Sequence, residues 1–174
     1  MIAFRRVPSP LGEILVAGPG HEVPGGDGLD GDQTITALRL PDDRGDPAPD
    51  PSWREAPHAF ARAAAQIADY FAGARRGFDL PLAPAGTAFQ LRVWAALRDI
   101  PQGRTASYAD IARAIGQPKA TRAVGGANGR NPIPLLIPCH RVVAADGSLG
   151  GFSGSLAVKR ALLEREGAWE ARLV

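Results

Sequence analysis

Three prolines, Pro132, Pro134 and Pro138, punctuate the stretch NPIPLLIPCHRVV from Asn131 to Val143. Proline fixes its own φ and offers no N–H, so no helix can run through the segment. The aliphatic residues among the prolines, Ile133, Leu135, Leu136 and Ile137, argue that it is buried. The reading is a stiff, buried, extended strut that ends on Cys139, with His140 and Arg141 directly behind it. A free cysteine is ordinarily a small buried hydrophobe. Rigidity of this degree exceeds what a packing residue needs and suits a nucleophile held in place. Adjacent residues of an extended chain point to opposite faces. His140 is therefore not expected to touch the Cys139 sulfur, as a thiol-protease dyad requires; a bridging water would connect the two.

Cys139 is the only cysteine in 174 residues, which excludes an internal disulfide and any multi-cysteine zinc site and fits a reducing compartment. His21, His58 and His140 lie far apart, without metal-ligand spacing. No apolar run is long enough for a bilayer, so no membrane partner is expected. The opening MIAFRRVPSPLGE breaks its apolar stretch with charge and has no signal-peptide core, so a soluble, cytoplasmic protein is expected. Arginine outnumbers lysine eighteen to two, a bias that points to a GC-rich genome more than to a function. The net charge of +2 hides an asymmetry. Residues 1–85 carry eight Arg against twelve Asp or Glu, and residues 86–174 carry twelve Lys or Arg against six Asp or Glu. A basic C-terminal half leans towards a polyanionic partner, although a fluctuation of surface composition gives the same count.

Turn chemistry in PSPLG between IAFRRV and EILVAG predicts a hairpin, with TITALRL, Thr34 to Leu40, as a third strand. The Gly- and Asp-rich stretches PGHEVPGGDGLDGDQ and PDDRGDPAPDPSW read as exposed loops. APHAFARAAAQIADYFAGARR reads as a helix whose core face is Phe60, Ala64, Ile67 and Phe71. GFDLPLAPAG then breaks the pattern, and the domain boundary is placed near residue 85, with an α/β domain over 1–85 and a second domain over 86–174. In the second half, Thr87 with Gln90 and Ser107 with Asp110 are capping boxes that open two helices, the second closing at Gly116. QPKATRAVGGANGRN restarts a helix after Pro118, which makes a helix-turn-helix pattern. Its second helix carries Lys119, Arg122 and Arg130 beside Ala120, Ala123, Gly125, Gly126 and Ala127. A tandem glycine costs a helix about 1 kcal/mol per residue against alanine. Close approach to DNA and close packing on another helix explain the pair equally well. LAVKRALLEREG forms a terminal helix that ends at Gly167.

The run PCHRVV resembles the active-site signature of the O6-alkylguanine-DNA alkyltransferases, the methylated-DNA–protein-cysteine methyltransferases. RAVGGA, NPIP, PCHRV and GGFSG followed by the lysine, LL and EG fall in that family's order and separations, so that Ser107 to Gly167 is similar to its C-terminal domain nearly end to end. The N-terminal 85 residues match in size and strand–helix order. The resemblance implies an α+β fold: a small antiparallel sheet with a helix, ribonuclease H-like, then a helical, winged-helix-like domain with the helix-turn-helix. It implies DNA repair by suicidal transfer of an alkyl group from O6-alkylguanine to Cys139, without a cofactor or a metal, and makes 1–85 a supporting domain and 86–174 the DNA-binding and alkyl-transfer domain. O4-alkylthymine is left open as a second substrate. The partner would be double-stranded DNA, held in the minor groove with the alkylated base flipped out. A nucleoid-associated bacterial monomer is expected, with cooperativity on DNA left open.

Residue by residue, the resemblance makes Cys139 the nucleophile, with Glu166, His140 and a water as the chain that draws off its proton. Tyr108 matches the tyrosine that serves a ring nitrogen of the leaving guanine, and Ser153 a donor near O6. The carbonyls of Cys139 and Val142 would accept from the exocyclic amine. Arg122 matches the arginine that fills the space of the extruded nucleotide, and Asn131 the asparagine that ties the recognition helix to the active-site strand. Lys159 matches a motif lysine, assigned to the substrate and DNA side in a secondary role. Ala123, Gly125, Gly126, Ala127 and Asn128 would form the groove-facing helix surface. Phe152 departs from a frequent tyrosine, and Asn128 from an apolar groove-lining residue. A lesion sensor of the alkyltransferase-like kind lacks the cysteine that is present here. A helix-turn-helix regulator leaves PCHRV and Glu166 without purpose, and a thiol hydrolase would need turnover.

Overall fold

The structure, a computed structural model, describes residues 1–22, 29–31, 34–150 and 155–169, with only the backbone for 21, 22 and 29–31. The chain divides into two compact units, Met1–Pro84 and Ala85–Val174. Together they form a mixed α+β structure with a small sheet and, among the described residues, five α-helices.

In the first unit, the predicted hairpin forms from β1 (Ile2–Ser9) and β2 (Gly12–Glu22). The antiparallel register runs from Ser9 opposite Gly12 to Ile2 opposite Pro19. The turn is closed locally: the Ser9 hydroxyl donates to the Gly12 carbonyl at 2.6 Å and accepts from the Leu11 N–H at 3.2 Å. Ile14, Leu15, Val16 and Ala17 of β2 are all fully buried, so this strand is covered on both faces.

The third strand is shorter than predicted. Only β4 (Ala37–Arg39) pairs with β2, while Ile35 makes an isolated bridge to Leu82. Contrary to the loop expected there, β3 (Leu29–Gly31) pairs with the far end of β2. β2 outruns β1 at that end, and its backbone donors and acceptors find partners in the returning chain. Directly after the second expected loop comes a short strand that the sequence reading did not include, β5 (Arg54–Glu55), parallel to β1.

Helix α1 (Ala61–Phe71) is shorter than predicted. Phe60 precedes it in a left-handed conformation (φ 54°), which sets the helix start. Of the predicted core face, Phe60, Ile67 and Phe71 are buried and Ala64 is half-buried; Ala63 and Tyr70 complete the face.

In the second unit both capping boxes form. Thr87 opens α2 (Ala88–Leu97), and Ser107 opens α3 (Tyr108–Ala114), each with reciprocal bonds of 2.9–3.1 Å to the third residue on. Helix α4 (Thr121–Gly129) follows a turn over 117–120, so Pro118 lies just before the helix rather than in it. The Trp94 indole N–H donates to the Ala127 carbonyl at 2.9 Å and the Arg92 guanidinium to the Ile115 carbonyl at 2.6 Å, fastening α2 to α4 and to the end of α3. Helix α5 (Leu156–Arg165) is capped by the Ser155 hydroxyl and stops at Gly167 (φ 70°), as the sequence predicts.

Candidate active site

The proline segment is buried, as its composition demands, but it is not an extended strut. Ile133, Leu135, Ile137 and Cys139 are at most 1% exposed. The backbone folds into overlapping turns: the Ile137 N–H donates to the Ile133 carbonyl at 2.9 Å, and the Cys139 N–H to the Ile137 carbonyl at 2.8 Å. Leu135 adopts a left-handed conformation (φ 74°), which strains a branched residue by about 1–2 kcal/mol. After Pro138, Cys139–Arg141 makes a single 3-10 turn. Three prolines forbid a continuing α-helix, but one tight turn after the last of them needs no proline N–H.

Asn131 holds these turns together. Its side-chain amide donates to the Ile137 carbonyl at 2.8 Å, and its oxygen accepts from the Ile133 N–H at 3.0 Å. Both backbone partners are buried. Asn131→Ala leaves a buried donor and a buried acceptor unpaired, and should cost about 3 kcal/mol in urea-monitored unfolding. A loss below about 1 kcal/mol would show that the turns stand without the clamp.

Two strands bring the remaining groups to the thiol. β6 (Ala106–Ser107) runs parallel to β7 (Val142–Val143), with Ala106 opposite Val142 and Ser107 opposite Val143. Tyr108, the next residue after β6, is thereby carried to the cysteine turn. A Cβ at Gly150 would lie 3.0 Å from the Tyr108 hydroxyl and one at Gly125 3.8 Å from its ring, so the phenol sits between two glycine backbones. Burial, then the nearby Cys139 sulfur, raises the Tyr108 pKa, which keeps the phenol a proton donor at neutral pH.

A buried polar cluster lies behind Cys139. His140 Nε2 and Glu166 Oε1 are 2.8 Å apart, and both side chains are fully buried. Arg141 donates from Nε to Glu166 Oε2 at 2.9 Å and from Nη2 to Oε1 at 3.0 Å, while its Nη1 reaches the Ile100 carbonyl at 2.6 Å. Burial alone would raise the Glu166 carboxyl, but the bonds from His140 and Arg141 outweigh it and hold the pKa at about 2. Burial lowers the His140 pKa; the Glu166 bond opposes this, and the charges on Arg141 and Lys159 add to it. The Cys139 thiol is pushed up to about 11, chiefly by burial and against a hydrogen bond from Asn131 and the Lys159 charge.

The structure separates the predicted residues into two groups. Cys139, His140, Glu166, Asn131, Tyr108 and Val142 lie together at the cysteine turn. Lys159, assigned to the substrate and DNA side, is fully buried instead: its ammonium donates to the Val142 carbonyl at 2.7 Å. Burial brings its pKa down to about 8, against the pull of the Cys139 sulfur. Asn128 also turns inward. It is 1% exposed, and its amide donates to the Cys139 carbonyl at 3.3 Å, so its side chain does not face a groove. That carbonyl already accepts from the Val142 N–H, and both of its lone pairs are engaged. Ala127 is buried as well, leaving Thr121, Arg122, Ala123 and Gly126 exposed on α4 and Arg130 exposed just past its end.

Packing does not require the tandem glycine. A Cβ at Gly125 would meet only ordinary contact, and one at Gly126 only the tip of Arg130. The exposed face of α4 and the start of α2 border a groove of about 620 Å³ lined by Phe89, Gln90, Lys119, Arg122, Ala123 and Arg130 among others. Cys139 does not line it. Ser153 and Phe152 lie outside the described residues. Among the described residues no cluster of His, Cys, Asp or Glu could hold a metal, and no helix is long and apolar enough to cross a membrane.

The residue that sequence reasoning left without a role is Arg141. Its signal was a lone charge inside the apolar run that follows Cys139, since a charge placed there must find a partner.

Comparison with known proteins agrees with this geometry. Residues 88–168 match the family model of the 6-O-methylguanine DNA methyltransferase DNA-binding domain. The chain is 45% identical over 166 residues to the methylated-DNA–protein-cysteine methyltransferase of Mycolicibacterium paratuberculosis, covering 95% of this chain and 93% of that protein. It is 44% identical over 160 residues to that of Methanosarcina acetivorans, covering 92% and 95%. The crystal structure of Mycobacterium tuberculosis O6-methylguanine methyltransferase superposes with a TM-score of 0.81 at 42% identity, over 99% of this chain and 96% of that one. A second Mycobacterium tuberculosis structure, in complex with DNA, gives a TM-score of 0.79, also at 42% identity, over 95% and 93%. With such identity over nearly its whole length, and with the cysteine turn and its histidine–glutamate pair in place, the chain belongs to the methylated-DNA–protein-cysteine methyltransferase family.

Proposed function

We propose that this protein repairs DNA by direct reversal, moving the alkyl group of O6-alkylguanine onto Cys139 in one irreversible step. The observation that carries the reading is the buried thiol on a turn fixed by Asn131, directly before a histidine paired with a carboxylate at 2.8 Å.

A thiol with a pKa near 11 is ionised in roughly one molecule in ten thousand at neutral pH. The resting state is therefore the thiol, and a base must take its proton as the alkyl group arrives. Through an intervening water, His140 Nδ1 takes that proton while Glu166 steadies the developing imidazolium. The sulfur–carbon bond forms as the carbon–O6 bond breaks, and the electron pair goes to guanine. Tyr108, kept protonated by burial, supplies a proton to the leaving base. The thioether product has no route back to thiol, so each molecule acts once and no cofactor enters the balance.

The site works on a base out of the stack, since a fully buried sulfur cannot reach an atom inside a duplex. The exposed α4 face, with Arg122, Ala123, Gly126 and Arg130, is the surface offered to the minor groove, the helix-turn-helix being α3 and α4. Arg122 fills the space of the extruded nucleotide, and Ser153 serves O6. The first unit is a ribonuclease H-like support, the second a winged-helix-like reader. The protein acts as a monomer in the bacterial cytoplasm.

The test is the intact mass of the protein after incubation with a duplex that carries one O6-methylguanine. The expected result is a gain of one methyl group per molecule, mapped to the Cys139 peptide, and no gain on a second addition of substrate. Bound duplex without a mass gain would leave a lesion sensor and overturn the reading.

A further inference from the structure

We infer that Arg141 is a positioning residue for the reaction: by balancing the Glu166 carboxylate, its guanidinium keeps His140 neutral, with Nε2 carrying the hydrogen and Nδ1 available as the proton acceptor. The inference rests on the proposed alkyl transfer and assigns the state of its base.

The geometry is that of a buried three-membered cluster. Glu166 uses Oε2 for Arg141 Nε, and Oε1 for both Arg141 Nη2 and His140 Nε2. The carboxylate therefore takes three hydrogen bonds, two of them from one planar fork. The fork is itself held in place, because Nη1 donates to the Ile100 carbonyl 41 residues away in sequence. His140 and Glu166 are fully buried and the Arg141 side chain is 9% exposed.

Charge bookkeeping decides the protonation of the histidine. Arg141 and Glu166 together are neutral. A neutral imidazole leaves the buried cluster uncharged, and an imidazolium leaves it with one positive charge out of water, which is costly. Remove the guanidinium and the order reverses: a lone buried carboxylate beside a histidine favours the imidazolium, and a proton held at rest closes Nδ1 as an acceptor.

Every charged group facing His140 belongs in this account. Arg141 lies on its own turn, Lys159 and Glu166 come from α5 and its end, and Cys139 precedes it. Lys159 acts in the same sense as Arg141, but its ammonium is bonded to the Val142 carbonyl and leaves Glu166 to the arginine. Nε2 faces Glu166, whereas Nδ1 is buried and has no hydrogen-bond partner among the described residues. That pairing fixes the tautomer: a carboxylate accepts only, so Nε2 must donate.

The proton balance of the transfer follows. The Cys139 proton reaches Nδ1 through water, and the imidazolium exists only while the sulfur is attacking. Once the thioether has formed, the cluster gives its proton up to solvent and returns to neutrality, and Tyr108 takes one back from solvent for the proton it gave to guanine, so that the net change moves the thiol proton to the leaving base.

The experiment is a nitrogen-15 NMR titration of His140 in the whole protein, with alkyl-transfer rates measured over the same pH range. In the wild type, His140 is expected to be neutral at pH 7 with its hydrogen on Nε2. A wild-type imidazolium at pH 7 would overturn the inference without any variant. In Arg141→Met the His140 pKa is expected to rise by at least about one unit, a tenfold shift in the protonation equilibrium, and the acid limb of the rate profile should rise with it. Arg141→Lys keeps the charge and should restore most of the wild-type titration even where its rate is lower. If Arg141→Met only lowers stability and rate at every pH, with the titration unmoved, the arginine is structural and the inference fails. Absence of transfer by the wild type would instead refute the alkyl-transfer reading, because the titration is read on the protein alone.

Discussion

Cys139→Ser is expected to bind a duplex containing O6-methylguanine and to take no methyl group from it. The substitution leaves the turn in place: serine is smaller than cysteine by little, and the Asn131 amide that bonds the sulfur can donate to a hydroxyl. Stability should change by no more than about 2 kcal/mol, the scale of one buried polar group that keeps a partner. Reactivity changes far more. The buried thiol already sits near pKa 11, and a hydroxyl in the same dry pocket is a much weaker acid. A neutral histidine reached through water cannot carry its proton off at a comparable rate, and oxygen is a poorer nucleophile than sulfur towards an alkyl carbon. The check is intact mass beside a gel-shift titration, with unmodified serine protein recovered after the wild type is fully converted. Methyl found elsewhere on the serine variant would mean that Cys139 is not the acceptor.

What the sequence discloses about this site depends on how local the cause is. The capping boxes at Thr87 and Ser107, and the stops at Gly116 and Gly167, lie within a few residues of the helix ends they define, and all four form where expected. The hairpin turn at Ser9–Gly12 is local in the same way. Prolines before Cys139 exclude a running helix but do not choose between an extended chain and a string of tight turns. That choice is made by the Asn131 side chain, which offers a donor and an acceptor to backbone groups two and six residues on.

Lys159 and Asn128 show a different kind of loss. Each was placed on the DNA side by the family resemblance, when its position along its own helix was the better guide. Lys159 falls one helical turn from Ser155 and one from Leu162 and Leu163, all buried, and so lies on the inward face of α5. Asn128 continues the inward row of Val124 and Ala127 on α4. Periodicity placed both in the interior, and each found a carbonyl there, at Val142 and at Cys139. The partnership of Arg141 with Glu166 spans 25 residues, and the lone charge in its apolar run tells that a partner is needed without telling which. The short strands at 29–31 and 54–55 were missed because two or three residues of backbone pairing leave no side-chain pattern to read.

Glu166→Gln is expected to destabilise the protein by about 3–5 kcal/mol at neutral pH, the range found when one member of a buried ion pair is removed. Shape is not the cause, since glutamine fits the space of glutamate. Its oxygen can still accept from His140 Nε2, but its NH2 group then faces Arg141, donor against donor, and the guanidinium is left charged without a counter-ion. The pH dependence separates this account from simple misfit. The folded pKa of Glu166 lies near 2, below the ordinary 4.5 of a free glutamate. A depressed acid contributes its stability fully above about pH 4.5 and loses it as the pH falls through about 2. The gap between wild type and variant in urea unfolding should therefore be constant from pH 7 to about pH 5 and close steadily below that. The lowered pKa of His140 adds a second slope, since stability that depends on a neutral imidazole is present above about pH 6.5 and wanes as the pH falls below it. A gap that stays the same down to pH 2 would mean that the Glu166 charge is not what holds the cluster, and the neutral-histidine mechanism would lose its foundation.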